Sequence, residues 1–245
     1  MSEVEIVTEW IELPASDGTT VPVYVARPAS LSAGPGLLVL QEAFGVNGHI
    51  RDVTERFARQ GYIAASPMLF HRTDDRKDPV YEDFNAIMPH MSALTDENQA
   101  TDLKAAYDWL TTEGNATSVG SVGYCMGGRS SFLAGTILPL KASICYYGGG
   151  IAPSGRPNFP PLLDKTANLS GPALFFWGAK DAHIGPDQRQ AIEVATQEAN
   201  KTAVHVVFTQ ADHAFFSDTR ANYEPTSAKL SWTLTLEFLK TYLVV

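Results

Sequence analysis

The run Val-Gly-Tyr-Cys-Met-Gly-Gly at 122–128 sets Cys125 between an apolar extended segment (Ser118 to Val122) and a helical pattern (Ser130 to Ile137). This is the strand–turn–helix form G-x-S-x-G, a nucleophile elbow with sulfur in place of the usual hydroxyl. The glycines at 123 and 127 suit such a turn, because a side chain at either would crowd the strand-to-helix corner. The turn also sets the thiol at a helix N-terminus, where unpaired N–H groups and the helix dipole favour a thiolate. Two further groups stand where a nucleophile would need them. Asp181 follows the apolar run Ala173 to Trp177, and His213 follows Val204 to Phe208. Nucleophile, acid and base therefore come in the chain order expected of this motif. His213 would take or stabilise the thiol proton and later activate water. Asp181 would fix the imidazole tautomer and stabilise its charged form. Cys125 would attack a carbonyl carbon and hold the acyl group as a thioester. The N–H of Met126 is the first expected oxyanion donor, and the N–H of Ala43 the second, from the loop after the run Gly36 to Gln41.

Elements must bring these distant residues together, and the pattern of apolar runs supplies them. Extended segments are expected at Val4 to Leu13, Val21 to Ala26, Gly36 to Gln41, Tyr62 to Ser66, Ala142 to Tyr147, Ala173 to Trp177 and Val204 to Phe208, beside the elbow strand. Helices are expected at His49 to Gln60, Asp96 to Glu113, Pro186 to Asn200 and Ser227 to Leu243. The unbroken apolar run Gly36 to Gln41 reads as a parallel strand buried on both faces. Strand–helix alternation implies an α/β fold, a mostly parallel central sheet with helices on both faces. Active-site residues of such sheets collect beyond the carboxyl ends of the strands, which is where all three groups fall. The stretch Ile151 to Asn168, rich in Pro, Gly, Asn and Ser, reads as a surface connection within one domain spanning 1–245.

Composition bounds the rest. A chain of 245 residues, 44% hydrophobic and 18% charged, is an ordinary globular domain. A net charge of −9 opposes a nucleic-acid partner, and any anionic substrate must be drawn in by local cations. The opening residues lack the pattern of a secretory signal, and no apolar run reaches membrane-spanning length. Two cysteines make no disulfide framework. The expectation is a cytoplasmic monomer acting on a small molecule, with no cofactor. His49, His71, His90 and His205 show no metal-ligand spacing with cysteines or acids, so no metal is expected.

Competing readings stay open at several positions. Asp181 could be a turn residue or helix cap before Pro186, and His183 could replace His213 as the base. Asp212 adjoins His213, although adjacent side chains in a tight loop rarely aim at each other. Cys145 lies inside an apolar strand and reads as a buried hydrophobe. Glu42 follows an apolar strand, where a carboxylate is poorly solvated unless paired. It reads either as a loop acid or as an acceptor for the Cys125 thiol hydrogen.

Gln-Glu-Ala-Phe-Gly-Val-Asn at 41–47, Gly-Tyr-Cys-Met-Gly-Gly at 123–128 and Asp-His-Ala-Phe at 212–215 together resemble the dienelactone hydrolases, or carboxymethylenebutenolidases. The first segment is the most specific, and the likeness runs from Gly36 to the last helix. The resemblance implies an α/β-hydrolase fold and a Cys125, His213, Asp181 triad. It also implies that Glu42 is the family's glutamate, which contacts the resting thiol. Family substrates are unsaturated lactones bearing a carboxylate, held by arginines. The segment Met68-Leu69-Phe70-His71-Arg72 makes Arg72 the implied carboxylate clamp. The family's second arginine, four positions after the histidine, is replaced here by Ser217, with Arg220 three residues further on. Arg220 is therefore the second substrate-binding candidate. The activity implied is lactone opening. A broad carboxylesterase acting on uncharged esters, and a non-catalytic ligand-binding or thiol-sensing protein, are the alternatives.

Overall fold

The computed structural model describes residues 4–74, 84–154 and 160–243. By their contacts the residues form two compact units, Met1–Gly120 and Ser121–Val245.

The first unit opens with an antiparallel hairpin of β1 (Ile6–Pro14) and β2 (Thr20–Pro28), in register from Ile6 opposite Pro28 to Pro14 opposite Thr20. β3 (Gly34–Leu40) follows, then α1 (Gly48–Arg59) and β4 (Ile63–Pro67). β4 pairs antiparallel with β2 and parallel with β3, giving the order β1-β2-β4-β3. Leu37 through Leu40 are wholly buried, as the continuous apolar run requires. α1 begins where the Asn47 side chain accepts from Ile50 N–H at 3.1 Å, and it buries Ile50, Val53 and Phe57 on one side. α2 (Phe84–Ala93) and α3 (Asp96–Thr111) complete the unit. α3 is capped by Thr95, whose hydroxyl accepts from Asn98 N–H, with Asp96 and Glu97 in the first turn.

The second unit holds the end of β5 (Ala116–Tyr124), α4 (Met126–Ile137), β6 (Ser143–Tyr146), β7 (Ala173–Gly178), α5 (Pro186–Glu198), β8 (Ala203–Phe208) and α6 (Pro225–Leu243). Its strands run parallel in the order β5-β6-β7-β8. Every residue of β6 and β7 is buried, whereas β8 is part-exposed.

Three expectations are corrected. α2 lies in a stretch read as polar connection. Among its described side chains only Ile87 and Met91, one turn apart, are buried, and Pro89 inside it reads as a breaker. α4 begins at Met126 instead of Ser130. The stretch 160–168 of the expected surface connection is folded: Leu163–Asn168 forms a 3₁₀ turn, Leu162 and Thr166 are buried, and Leu162 N–H donates to Ile151 C=O at 2.8 Å. Among the described residues no helix is long and apolar enough to cross a membrane.

Candidate active site

Cys125 adopts φ 57° and ψ −117°, a region that non-glycine residues rarely occupy. The strain is held from both sides. Cys125 N–H donates to Tyr146 C=O at 3.0 Å, and Cys125 C=O accepts from Gly128 N–H at 2.9 Å, which starts α4. A Cβ on Gly123 would sit 1.8 Å from the Gly127 carbonyl oxygen, and one on Gly128 would sit 2.5 Å from the Tyr146 carbonyl oxygen. Both neighbours are backbone, so no side-chain rotation could make room. The helix reaches the sheet this closely only because glycines stand there.

Asp181 and His213 arrive from the loops after β7 and β8, which lie beyond β6 in the sheet. The loop after β7 is bound to the loop after β8: Ala179 N–H donates to Phe208 C=O and Lys180 N–H to Ala211 C=O, both at 3.0 Å. His213 Nε2 lies 3.1 Å from Cys125 Sγ, and His213 Nδ1 lies 2.8 Å from Asp181 Oδ2. The other carboxylate oxygen, Asp181 Oδ1, accepts from His183 N–H at 2.7 Å and Ile184 N–H at 3.2 Å. Asp181 is thus a nearly buried carboxylate with both oxygens engaged, aimed at one ring nitrogen. Burial by itself would lower the affinity of His213 for its proton. The charges of the Cys125 sulfur and the Asp181 carboxylate, with their hydrogen bonds, outweigh it and push the imidazole up to about 10. For Asp181 burial raises the carboxyl and the His213 contact lowers it; the net shift is downward.

The structure separates several competitors. His183 is exposed, and its ring stands edge-on to that of His213 with centroids 5.2 Å apart, while it is the His213 ring that meets the Cys125 sulfur. Asp212 Oδ1 accepts from the backbone N–H of His213 at 2.6 Å, so it shapes the loop and leaves the ring to Asp181. Cys145 is fully buried, and burial pushes its thiol far up. Met126 is the first residue of α4, which sets its N–H at the helix N-terminus beside the sulfur-bearing residue. Ser217 is buried with its hydroxyl 3.2 Å from that of Thr219, and Arg220 is half-exposed in the turn that follows. Among the described residues no cluster of His, Cys, Asp or Glu could hold a metal ion.

Glu42, Ala43 and Arg72 belong to the first unit. Glu42 and Ala43 are buried in a tight turn closed by Gly45 N–H donating to Glu42 C=O at 3.3 Å. Arg72 corrects a simple reading as an open cation. Its Nη1 and Nη2 donate to the two oxygens of the fully buried Asp102 at 2.8 and 2.9 Å. Nε and Nη2 also donate to Asp17 Oδ2, at 3.1 and 2.5 Å. His71 Nε2 lies 3.1 Å from Asp102 as well. A guanidinium facing two carboxylates has little donor capacity left for a third. The following charges Asp75, Arg76 and Lys77 lie outside the described residues.

A cysteine elbow on a parallel sheet, with acid and histidine from the ends of later strands, is the arrangement of an α/β-hydrolase, and comparison with known proteins agrees. The model of the dienelactone hydrolase family matches residues 21–243. A "putative carboxymethylenebutenolidase" of Salmonella typhimurium is 35% identical over 231 residues, covering 93% of this chain and 85% of that protein. Its Escherichia coli counterpart, under the same name, is 32% identical over 97% of this chain and 88% of its own length. The crystal structure of a "putative dienelactone hydrolase" from Klebsiella pneumoniae superposes with a TM-score of 0.89 at 34% identity, over 97% of this chain and 100% of that one. The chain belongs to the dienelactone hydrolase family and is a hydrolase of the α/β-hydrolase fold.

Proposed function

We propose that this chain opens an unsaturated lactone of the dienelactone type, or a closely related ester, through a thioester on Cys125. The observation that carries the reading is the imidazole of His213, held between sulfur at 3.1 Å and carboxylate at 2.8 Å. The Cys125 thiolate attacks the acyl carbon and the carbonyl oxygen becomes an oxyanion facing the Met126 N–H. Collapse breaks the C–O bond, and the departing oxygen takes the proton of His213 Nε2. Water then attacks the thioester, giving its proton back to His213, and the sulfur leaves with its electron pair. Asp181 stabilises the imidazolium throughout. Glu42 as acceptor of the resting thiol hydrogen and Ala43 N–H as second oxyanion donor belong to the same reading, supported by family membership. So does a single hydrolase domain, since the family match continues from the first unit into the second.

Sulfur favours activated esters over amides, because the thiolate is itself a good leaving group and the tetrahedral intermediate goes forward only when the other group departs as readily, as an enolate does and an unprotonated amine does not. The direct test is acyl trapping: rapid acid quench with an aryl ester, followed by mass spectrometry, should add one acyl group to the Cys125 peptide. Full turnover with no adduct at any quench time would rule out the thioester.

One observation favours a second reading, hydrolysis of uncharged esters. Arg72 is engaged by Asp17 and Asp102, and Ser217 stands where the family carries its second arginine. Arg72→Ala separates the two. If Arg72 holds a substrate carboxylate, loss of a charge-assisted hydrogen bond should raise KM for a carboxylate-bearing lactone about tenfold or more and leave neutral aryl esters unchanged. Equal effects on both substrates would support the uncharged reading. In either case the variant should unfold at lower denaturant, by about 3 kcal/mol, since Asp102 is left buried beside a weaker partner.

A further inference from the structure

We infer that Tyr147 is the positioning residue for the His213 imidazole. The inference rests on the reading of His213 as the base and extends it to a residue that no motif marks. Tyr147 is wholly buried and adopts φ 37°, a left-handed backbone angle that a bulky side chain tolerates only when its surroundings enforce it.

What enforces it is visible. Tyr146 ends β6, and its carbonyl must accept from Cys125 N–H. The next N–H, that of Tyr147, donates to Phe176 C=O at 2.8 Å, which ties the turn to β7. Gly148 then packs on α4 so closely that a Cβ there would meet Gly128 backbone at 2.8 Å. Between these fixed points the chain must kink at Tyr147, and the kink delivers its ring to the histidine loop. The ring centroid lies 5.2 Å from that of His213, at 58°, and 5.2 Å from that of Phe215, edge to face. Tyr147 therefore grips the loop on both sides of Ala214, itself left-handed at φ 61°.

The consequence for chemistry concerns rotation. An imidazole held by one hydrogen bond on each nitrogen can still rock about its Cβ–Cγ bond, a soft torsion. Nε2 must stay within proton-transfer range of sulfur through both half-reactions. Asp181 limits rocking at one nitrogen, and the aromatic wall packed at a tilt beside the imidazole limits it further. The kinked backbone makes that wall stiff, since the ring is carried on a turn bonded to β7 and packed on α4.

Two substitutions divide ring from hydroxyl. Tyr147→Phe keeps the wall and should retain kcat within about twofold. Tyr147→Leu removes it and should lower kcat for an aryl ester about ten- to hundredfold, with KM within twofold, as a displacement near one ångström does. Iodoacetamide alkylation of Cys125 across pH, which needs no substrate, supplies the second readout. In Tyr147→Leu its rate profile should depart from that of the wild type, because the imidazole no longer stays on the sulfur; in Tyr147→Phe it should not move. A role confined to packing would lower the melting temperature of Tyr147→Leu while leaving both kcat per folded molecule and the alkylation profile in place, and would overturn the inference. So would a rise in KM with kcat retained, which would make Tyr147 a substrate contact. Loss of the wild-type acyl adduct on Cys125 would instead remove the thioester reading and leave the alkylation test standing.

Discussion

Cys125→Ala should lower kcat for aryl esters by about 10⁴- to 10⁶-fold while leaving the fold intact, the scale seen when a covalent nucleophile is removed from a working triad. The size follows from the route lost. Without sulfur there is no acyl-enzyme, and hydrolysis must proceed by direct attack of water in a site built around a different atom. Oxyanion donors and substrate positioning remain, so the rate should stay above the uncatalysed one. The fold should survive because alanine keeps the Cβ, and the strained angles at this position are imposed by Gly123, Gly128 and the Cys125 N–H to Tyr146 C=O bond, none of which involves the thiol. Cys125→Ser is a sharper version. A serine hydroxyl is hardly ionised beside the same imidazole, so the variant should remain at least about 10²-fold impaired although only one atom differs. Steady-state assays at equal folded fraction, judged by thermal melting, check both. Retention of more than a hundredth of wild-type turnover in the alanine variant would remove Cys125 from the mechanism. Binding without turnover in the wild type would favour the ligand-binding alternative.

How far these groups could be read without coordinates depended on the kind of signal each carries. Gly36 to Gln41 and Ala173 to Trp177 are legible because a strand buried on both faces needs an unbroken apolar run, and both are buried throughout. Asp181 and His213 are legible because the residues after such strands face one end of a parallel sheet. The true start of α4 is not. Gly127 and Gly128 read as loop, and only the closeness of Tyr146 and Gly148 backbone reveals that glycine is there for packing inside a helix. Arg72 shows a second limit. Motif position suggests an anion site, but Asp17 and Asp102 stand far off in the chain, and no local pattern announces that they converge on the guanidinium. Tyr147 shows a third. In Tyr-Tyr-Gly-Gly-Gly at 146–150 Gly150 is left-handed, as a glycine readily is, but so is Tyr147, on which the bonds of its neighbours impose the angle.

Asp181→Asn should cost about 10⁴-fold in kcat, out of proportion to a change of one atom, because it should reverse the imidazole tautomer. Asp181 Oδ1 already accepts from the N–H groups of His183 and Ile184. An asparagine would keep its oxygen on those donors and turn its NH₂ toward His213 Nδ1. That nitrogen would then have to accept, so the ring proton would sit on Nε2, facing sulfur. An imidazole in that state can donate to the thiolate but cannot take a proton from water during deacylation, so acyl-enzyme should accumulate. The pH dependence supplies a second check. In the wild type the imidazole holds its proton up to about 10, against an ordinary 6.5. A base raised in the folded state contributes stability that is complete below its unfolded value and vanishes as pH climbs through the folded one. Stability gained from the charged ring should therefore be present in full below about 6.5 and disappear toward pH 10. The alkaline fall in kcat/KM should follow the same imidazole, since acylation needs its proton for the leaving oxygen. With the carboxylate gone, one of the two charges holding that proton is gone too. The alkaline limb should then move to lower pH, and the denaturant midpoints of wild type and variant should differ most at about pH 6.5 and just below, and converge as pH passes about 10. Unchanged alkaline behaviour alongside a large loss of kcat would mean that Asp181 orients the ring without sharing its charge, leaving the sulfur as the sole counter-ion.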